Sequence, residues 1–268
     1  MKNVIAILII LCFTACYITG CASVPLTGRT QMALVSDKEL VTSSLQAYDQ
    51  IVSQSKVSRN SRDSAMVKKV GDKIITATKE IMQENGRYGE IEYFQWEVTL
   101  LDNDAMVNAF CMPGGKIVVF SGILPITQNE SGLAVVMGHE VAHAVAKHSR
   151  ERMSHMVLTN AGGVILSEII SKRSEHAQSM IMTMYGLGAQ VGGMLPYSRL
   201  QEREADRMGL IFMAKAGYDP TAAISLWERM LAAEQAQIPE FLSTHPLTAN
   251  RIEQIKTYIP EAMEYYRK

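Results

Sequence analysis

Five consecutive residues, His139-Glu140-Val141-Ala142-His143, constrain this chain more than anything else in it. They sit in a strongly apolar segment, with Leu133-Ala134-Val135-Val136-Met137 before and Ala144-Val145-Ala146 after, which reads as a helix running from Leu133 to Arg150. Residues four apart on a helix share a face. The imidazoles of His139 and His143 can therefore reach one ion, and the Glu140 carboxylate stands beside it as a general base. The spacing itself dictates a zinc site on a helix.

An open catalytic zinc site needs a third protein ligand. The pattern that would place it one helical turn further on requires Gly at 146 and His at 149; Ala146 and Ser149 stand there. His148, five residues beyond His143, is expected to face elsewhere on the helix. Downstream, Tyr197-Ser198-Arg199-Leu200-Gln201-Glu202-Arg203-Glu204-Ala205-Asp206 opens another helix, with Glu202 and Asp206 one turn apart. One carboxylate can ligate the metal while the other accepts the second N–H of a ligand histidine and fixes its tautomer. Read alone, Glu202, Glu204 and Asp206 with Arg199, Arg203 and Arg207 fit a solvated charged face better, since charge runs usually lie on surfaces; beside HExxH the ligand reading prevails. Gly209 continues the stripe and would let the two helices approach closely.

The rest of the mature chain reads as one α+β domain, mostly helical. Helices are expected from Asp37, behind a capping box of Ser36 and Glu39, and over Val67 to Ile81, stopping at Asn85-Gly86. Phe94 to Leu101, Met106 to Phe110 and Lys116 to Phe120 read as a small β-meander flanking the metal helix, with Met112-Pro113-Gly114-Gly115 as a turn. Later helices are expected over 198–216, from Asp219-Pro220 to about Glu234, and from about Thr248 to Tyr258. The Met- and Gly-rich stretch 156–195 is interrupted by Glu168, Lys172, Arg173 and Glu175, so it reads as core or lid and not as a membrane hairpin.

The first 20 residues read as a signal peptide, with Lys2 ahead of an apolar run from Val4 to Phe13. Ile18-Thr19-Gly20-Cys21 resembles a bacterial lipobox, which makes Cys21 the candidate lipidation site, residues 21–35 a tether and arm, and 36–268 the catalytic domain. Ala22 after the Cys favours the outer membrane by resemblance to lipoprotein sorting rules. Cys111 is then left alone in the mature chain, so no disulfide is expected. A net charge of -1 provides no field for nucleic acid, which is not an expected partner.

The HExxH segment, the Glu202-xxx-Asp206 helix and Asn108-Ala109-Phe110-Cys111-Met112-Pro113-Gly114-Gly115 together resemble the HtpX, BepA and CAAX-prenyl-protease group of gluzincin metallopeptidases. Val24-Pro25-Leu26-Thr27-Gly28-Arg29 resembles its bacterial lipoprotein, LoiP-like subgroup. The resemblance implies a zincin-type domain with one zinc, with Glu202 as third ligand ahead of Glu204. It also points to His245 and Arg251 near the active site, as oxyanion donors with Tyr197 behind them, or with His245 as a fourth, closing ligand. Pro113, Gly114, Gly115, Lys116 and Ile117 are expected to bind substrate, with the strand from Lys116 offering an exposed edge to an extended chain. The expected function is an endopeptidase of the bacterial envelope acting on misfolded or flexible proteins. It would be lipid-anchored in the outer membrane and would work beside the assembly machinery or other envelope proteases. The rival is a lipid-anchored chaperone or scaffold with latent activity.

Overall fold

The computed structural model describes residues 20–160, 185, 198–236, 240–246 and 250–266. A short hairpin, β1 (Cys21–Ser23) and β2 (Thr30–Met32), opens the fold, followed by helices α1 (Asp37–Gln54) and α2 (Ser61–Glu84). Asn60 starts α2 by accepting hydrogen bonds from the backbone N–H groups of Arg62 and Asp63, two donors that a helix start otherwise leaves unsatisfied. Helix α1 starts where expected, but Ser36 makes no side-chain cap, so the expected capping box is not formed. The acidic side chain of its first turn, Asp37, is instead drawn to Lys147 and Arg150.

Three strands, β3 (Glu97–Leu101), β4 (Ala109–Met112) and β5 (Lys116–Phe120), form a mixed sheet in the order β3-β5-β4. This corrects the expected meander. β5 runs parallel to β3 and antiparallel to β4, so it lies in the middle and has no free edge. The physical reason lies where the Pro113-Gly114-Gly115 turn meets β3: the Gln95 and Glu97 N–H groups donate to the Gly114 and Gly115 carbonyls at 2.7 and 3.2 Å, which sets β5 and not β4 beside β3. Gly114 (φ 93°) and Gly115 (φ 90°) occupy backbone space that costs a side chain dearly, and the reversal folds β5 into the slot between its predecessors. β4 is left as the edge strand beside the HExxH helix, and all four of its residues are buried.

That helix, α3 (Glu130–Val145), is buried at every position from Gly132 to Val145 and forms the centre of the core. It ends earlier than the sequence suggests. Lys147 takes φ 59°, in the left-handed region, and a separate helix α4 (His148–Asn160) leaves in a new direction. Helix α5 (Arg199–Lys215) begins with a capping box made by Ser198 and Gln201, and it packs along α3. A Cβ on Gly138 would stand 2.7 Å from the Gly209 carbonyl oxygen, and one on Gly209 would stand 2.7 Å from the His139 nitrogen. Glycine at both points therefore sets how near the two helices come. Helix α8 (Arg251–Met263) packs on α5, and α6 (Ala222–Ala236) packs on α3 and α8, with the short α7 (Glu240–Thr244) between them in the chain.

Most of 156–195 and Tyr197 lie outside the described residues. Among the described residues, no helix is long and apolar enough to cross a membrane. Residues 21–35, expected to be a tether, are packed onto the domain: Gln31 Nε2 donates to the Ala146 carbonyl at 2.9 Å, and the Leu34 N–H to Ser154 Oγ at 2.9 Å. Cys21 is exposed at the head of β1, and Cys111 is a buried free thiol.

Candidate active site

One turn of α3 presents His139 and His143 on the same side, and the start of α5 brings Glu202 against them, because the two glycines let the helices meet there. His245, just beyond α7, completes a buried group of four in which one donor atom from each residue lies within 4.8 Å of the others. His139 Nε2 and His143 Nε2 are 3.0 Å apart, His143 Nε2 lies 3.3 Å from Glu202 Oε1, and His245 Nδ1 is 3.0 Å from that oxygen and 3.2 Å from His139 Nε2.

These atoms suit zinc for a reason independent of their spacing in sequence. His139 Nδ1 lies 3.0 Å from Asp206 Oδ1, and His143 Nδ1 lies 2.8 Å from His148 Nδ1. If each ring donates outward there, both Nε2 atoms carry bare lone pairs and face each other at 3.0 Å, an arrangement relieved by a bound metal ion or by an added proton. Four of the six edges among His139 Nε2, His143 Nε2, His245 Nδ1 and Glu202 Oε1 measure 3.0–3.3 Å, close to the edge of about 3.3 Å in a tetrahedron with bonds of about 2.0–2.1 Å.

Glu140 is 1% exposed, with Oε1 3.3 Å from His245 Nε2. Burial raises its pKa, and the charges of His245 and His139 and a hydrogen bond from the Cys111 N–H only partly offset this. Burial also acts against ionised Glu202 and Asp206, but there the surroundings win. His245 and Arg251 draw Glu202 well below the usual carboxylate range, and Arg251 and His139 lower Asp206. Burial leaves His143 and His148 below the ordinary histidine value. For His139 burial acts in the same direction, but the hydrogen bond to Asp206 and the charges of Glu202 and Asp206 outweigh it.

Arg251 is not where an oxyanion donor would stand. It is 4% exposed; Nε and Nη2 donate to the two oxygens of Asp206 at 2.9 Å each, Nη1 lies 2.9 Å from Glu202 Oε2, and the guanidinium sits 3.7 Å over the Trp227 ring. The guanidinium is thus held behind the metal group, paired with the carboxylates of Asp206 and Glu202. Glu204, the competing third ligand, is turned away from the cluster toward His148, Thr27 and Arg29.

The expected substrate segment divides. Pro113 and Gly114 line a cleft beside His143, together with Leu40, Val41 and Phe94. Gly115 and Ile117 are buried, and Lys116 pairs with Glu97 at 2.7 Å. The pairing edge passes instead to β4. There the Cys111 N–H faces Glu140, and its carbonyl accepts from Tyr185 Oη at 3.4 Å. Sequence reasoning missed Tyr185, for which no local pattern exists. It kept His148 out of the metal group, as the structure does, but missed that the helix break at Lys147 brings that ring to the outer nitrogen of His143.

A buried helix carrying HExxH, with a glutamate ligand from a second helix, defines a gluzincin-type zinc metallopeptidase site. The chain belongs to peptidase family M48, whose model matches residues 71–259. It is 42% identical over 171 residues to the mitochondrial metalloendopeptidase OMA1 of Schizosaccharomyces pombe, covering 63% of this chain and 48% of that protein. To human metalloendopeptidase OMA1, mitochondrial, it is 29% identical over 263 residues, 95% of this chain and 49% of the relative. The beta-barrel assembly-enhancing protease of Escherichia coli is 33% identical over 161 residues, 57% of this chain and 32% of the relative. The chain thus spans about half the length of the OMA1 relatives and about a third of the bacterial one.

These relatives overturn the expected location. The fission-yeast and human proteins are mitochondrial by name, and the outer-membrane, lipid-anchored placement read from the lipobox does not stand against them.

Proposed function

We propose that the chain is a zinc-dependent endopeptidase that cuts unfolded or flexible polypeptide in protein quality control, and that the arrangement described is its closed state. The observation carrying this reading is Glu140, buried against a cluster of four converging donors in which His245 takes the place a substrate group would need. His139, His143 and Glu202 would hold the ion. Bound zinc supplies Lewis-acid polarisation of the scissile carbonyl and lowers the pKa of water in the site toward about 7. Glu140, its affinity for protons raised by burial, takes the proton from the attacking water and passes it to the leaving amine. Asp206 fixes the His139 ring.

An extended substrate backbone can pair with β4, the edge strand beside α3, and folded segments cannot offer a strand for such pairing. That supports unfolded chains as substrates. Two groups occupy the path: His245, whose Nε2 faces Glu140, and Tyr185, whose hydroxyl caps the Cys111 carbonyl. Both leave when substrate enters. The same closure favours a second reading, in which the protein binds unfolded chains and its protease activity stays latent.

Zinc content and cleavage of unfolded casein by the wild type, Glu140→Gln and His245→Ala test both readings. Glu140→Gln is expected to keep zinc and to lose about 10²–10⁴-fold in rate, the share of a general base. His245→Ala is expected to cut faster at matched zinc occupancy; a 10²–10³-fold fall would make His245 an oxyanion donor instead. Casein binding without cleavage by any of the three proteins would favour the second reading.

A further inference from the structure

The two imidazoles at the centre are held from opposite sides, and the hold on His143 begins in a part of the chain that precedes the matched family segment. His143 Nδ1 meets His148 Nδ1 at 2.8 Å, and His148 Nε2 meets Glu204 Oε2 at 3.0 Å. With His143 donating at Nδ1, His148 accepts at Nδ1 and donates at Nε2, so the ring passes the constraint on to a carboxylate. Glu204 is fixed in turn by the Thr27 hydroxyl and by Arg29 Nε, the latter at 2.8 Å. The Arg29 Nη atoms reach the Glu151 carboxylate at 2.7 and 2.8 Å, and Gln201 Nε2 donates to Glu151 at 2.7 Å. His148 is fully buried, and Glu204 and Glu151 are each 6% exposed.

The β1–β2 loop is shaped for this contact. Leu26 (φ 62°) and Gly28 (φ 68°) both take left-handed conformations, which bring Thr27 and Arg29 to the same carboxylate. The hairpin also grips the break between α3 and α4, through Gln31 on the Ala146 carbonyl. That break is what turns His148 back to His143.

We propose that the N-terminal hairpin is a working part of the metal centre, with Arg29, Glu204 and His148 acting in series as positioning residues that fix the tautomer and orientation of His143. The arrangement mirrors Arg251–Asp206–His139 on the other side, an arginine holding a carboxylate that fixes a ring, with one extra imidazole inserted because the carboxylate stands further away. The inference rests on His143 being a zinc ligand. Outer partners of ligand histidines are worth about 10–100-fold in metal affinity, and an effect of that size is expected here.

The test is zinc affinity of the full chain, measured by competition with a chromogenic chelator, with the melting temperature of each zinc-free protein recorded alongside. His148→Leu is expected to weaken zinc binding about 10–100-fold, His148→Gln, which keeps an acceptor for His143 Nδ1, to recover part of that loss, and Arg29→Ala to weaken it several-fold. Because the residues act in series, the His148→Leu/Arg29→Ala double variant is expected to bind zinc no more weakly than His148→Leu alone. A purely structural hairpin would lower the melting temperature and leave the affinity of the folded protein within twofold of wild type, and that result overturns the proposal. Strictly multiplicative losses in the double variant overturn the series. Should His148→Leu not fold, Arg29→Ala, at a partly exposed position, decides the matter by the same twofold criterion. His143→Ala separates the two levels: if it retains zinc, the ligand assignment fails, whereas its loss of zinc beside unaffected Arg29 and His148 variants leaves the assignment standing and this proposal refuted.

Discussion

The two sides of the metal centre are built from the same parts but on different scaffolds. On the His139 side, Asp206 and Arg251 come from helices α5 and α8, regular elements that pack directly on the core. On the His143 side, support comes from the first turn of α4, the opposite flank of α5 and a loop of a two-stranded hairpin. The first side depends on close helix packing and a buried ion-pair network. The second depends on one chain break and a hydrogen-bonded series that reaches a partly exposed arginine. Equivalent chemistry at the two rings thus rests on unequal foundations, and substitutions should expose the inequality.

The largest effect is expected from Arg251→Ala. Removing the guanidinium leaves Asp206 and Glu202 as buried charges without their partner, and breaking a buried pair in this way costs about 3–5 kcal/mol. Urea unfolding of the zinc-free protein measures it. A fall in kcat at unchanged stability would instead return Arg251 to the oxyanion role that sequence resemblance suggested and the structure places elsewhere.

The difference in legibility between the two sides has the same origin. Glu202 and Asp206 could be read as partners of the HExxH pair because all four lie on regular helices, where spacing determines facing. His148 obeys no such rule. Its direction is set by Lys147 in the left-handed region, a conformation that nothing in Ala146-Lys147-His148 announces. The sheet shows the same division: β3 and β5 were legible from β-favouring residues, but the strand expected at Met106–Phe110 lies at Ala109–Met112, and the order was not legible, since β5 skips β4, its predecessor in sequence, to pair in parallel with β3. Tyr185 reaches β4 from far along the chain, and long-range contacts of that kind leave no local pattern.

A smaller effect is expected where α3 and α5 touch, which belongs to the His139 side. In Gly209→Ala the new methyl would meet backbone atoms of Gly138 and His139 at 2.7–2.9 Å, and backbone cannot swing aside as a side chain can. Overpacking of this kind costs about 1–3 kcal/mol, and because His139 lies at the contact, zinc affinity should fall with stability. Chelator competition and unfolding on one sample would show it. Stability lost without any change in zinc affinity would mean that the helix contact does not control the ring, and the inequality between the two sides would narrow.

The smallest effect belongs to the hairpin side and depends on pH. Burial raises the proton affinity of Glu151, but the hydrogen bonds from Arg29 and Gln201 outweigh it, so the folded protein holds this carboxyl below its ordinary value of 4.5. A group depressed on folding contributes stability above its unfolded pKa, and the contribution disappears as pH falls through the lower, folded value. In Glu151→Gln no ionisation is possible, so the variant should be less stable than wild type at neutral pH by about 1 kcal/mol, the scale of one charge-assisted contact near a surface. The gap should begin to close below pH 4.5 and vanish once the wild-type carboxyl is protonated. The other buried carboxylates titrate in both proteins and largely cancel in the difference, so urea midpoints taken on the zinc-free pair from neutral to acid pH isolate this residue. A gap that stays constant down to the lowest pH at which both proteins fold would show that Glu151 acts by shape alone. The hairpin would then be docked by packing alone, and the two sides would differ in that only the His139 side is held by charge.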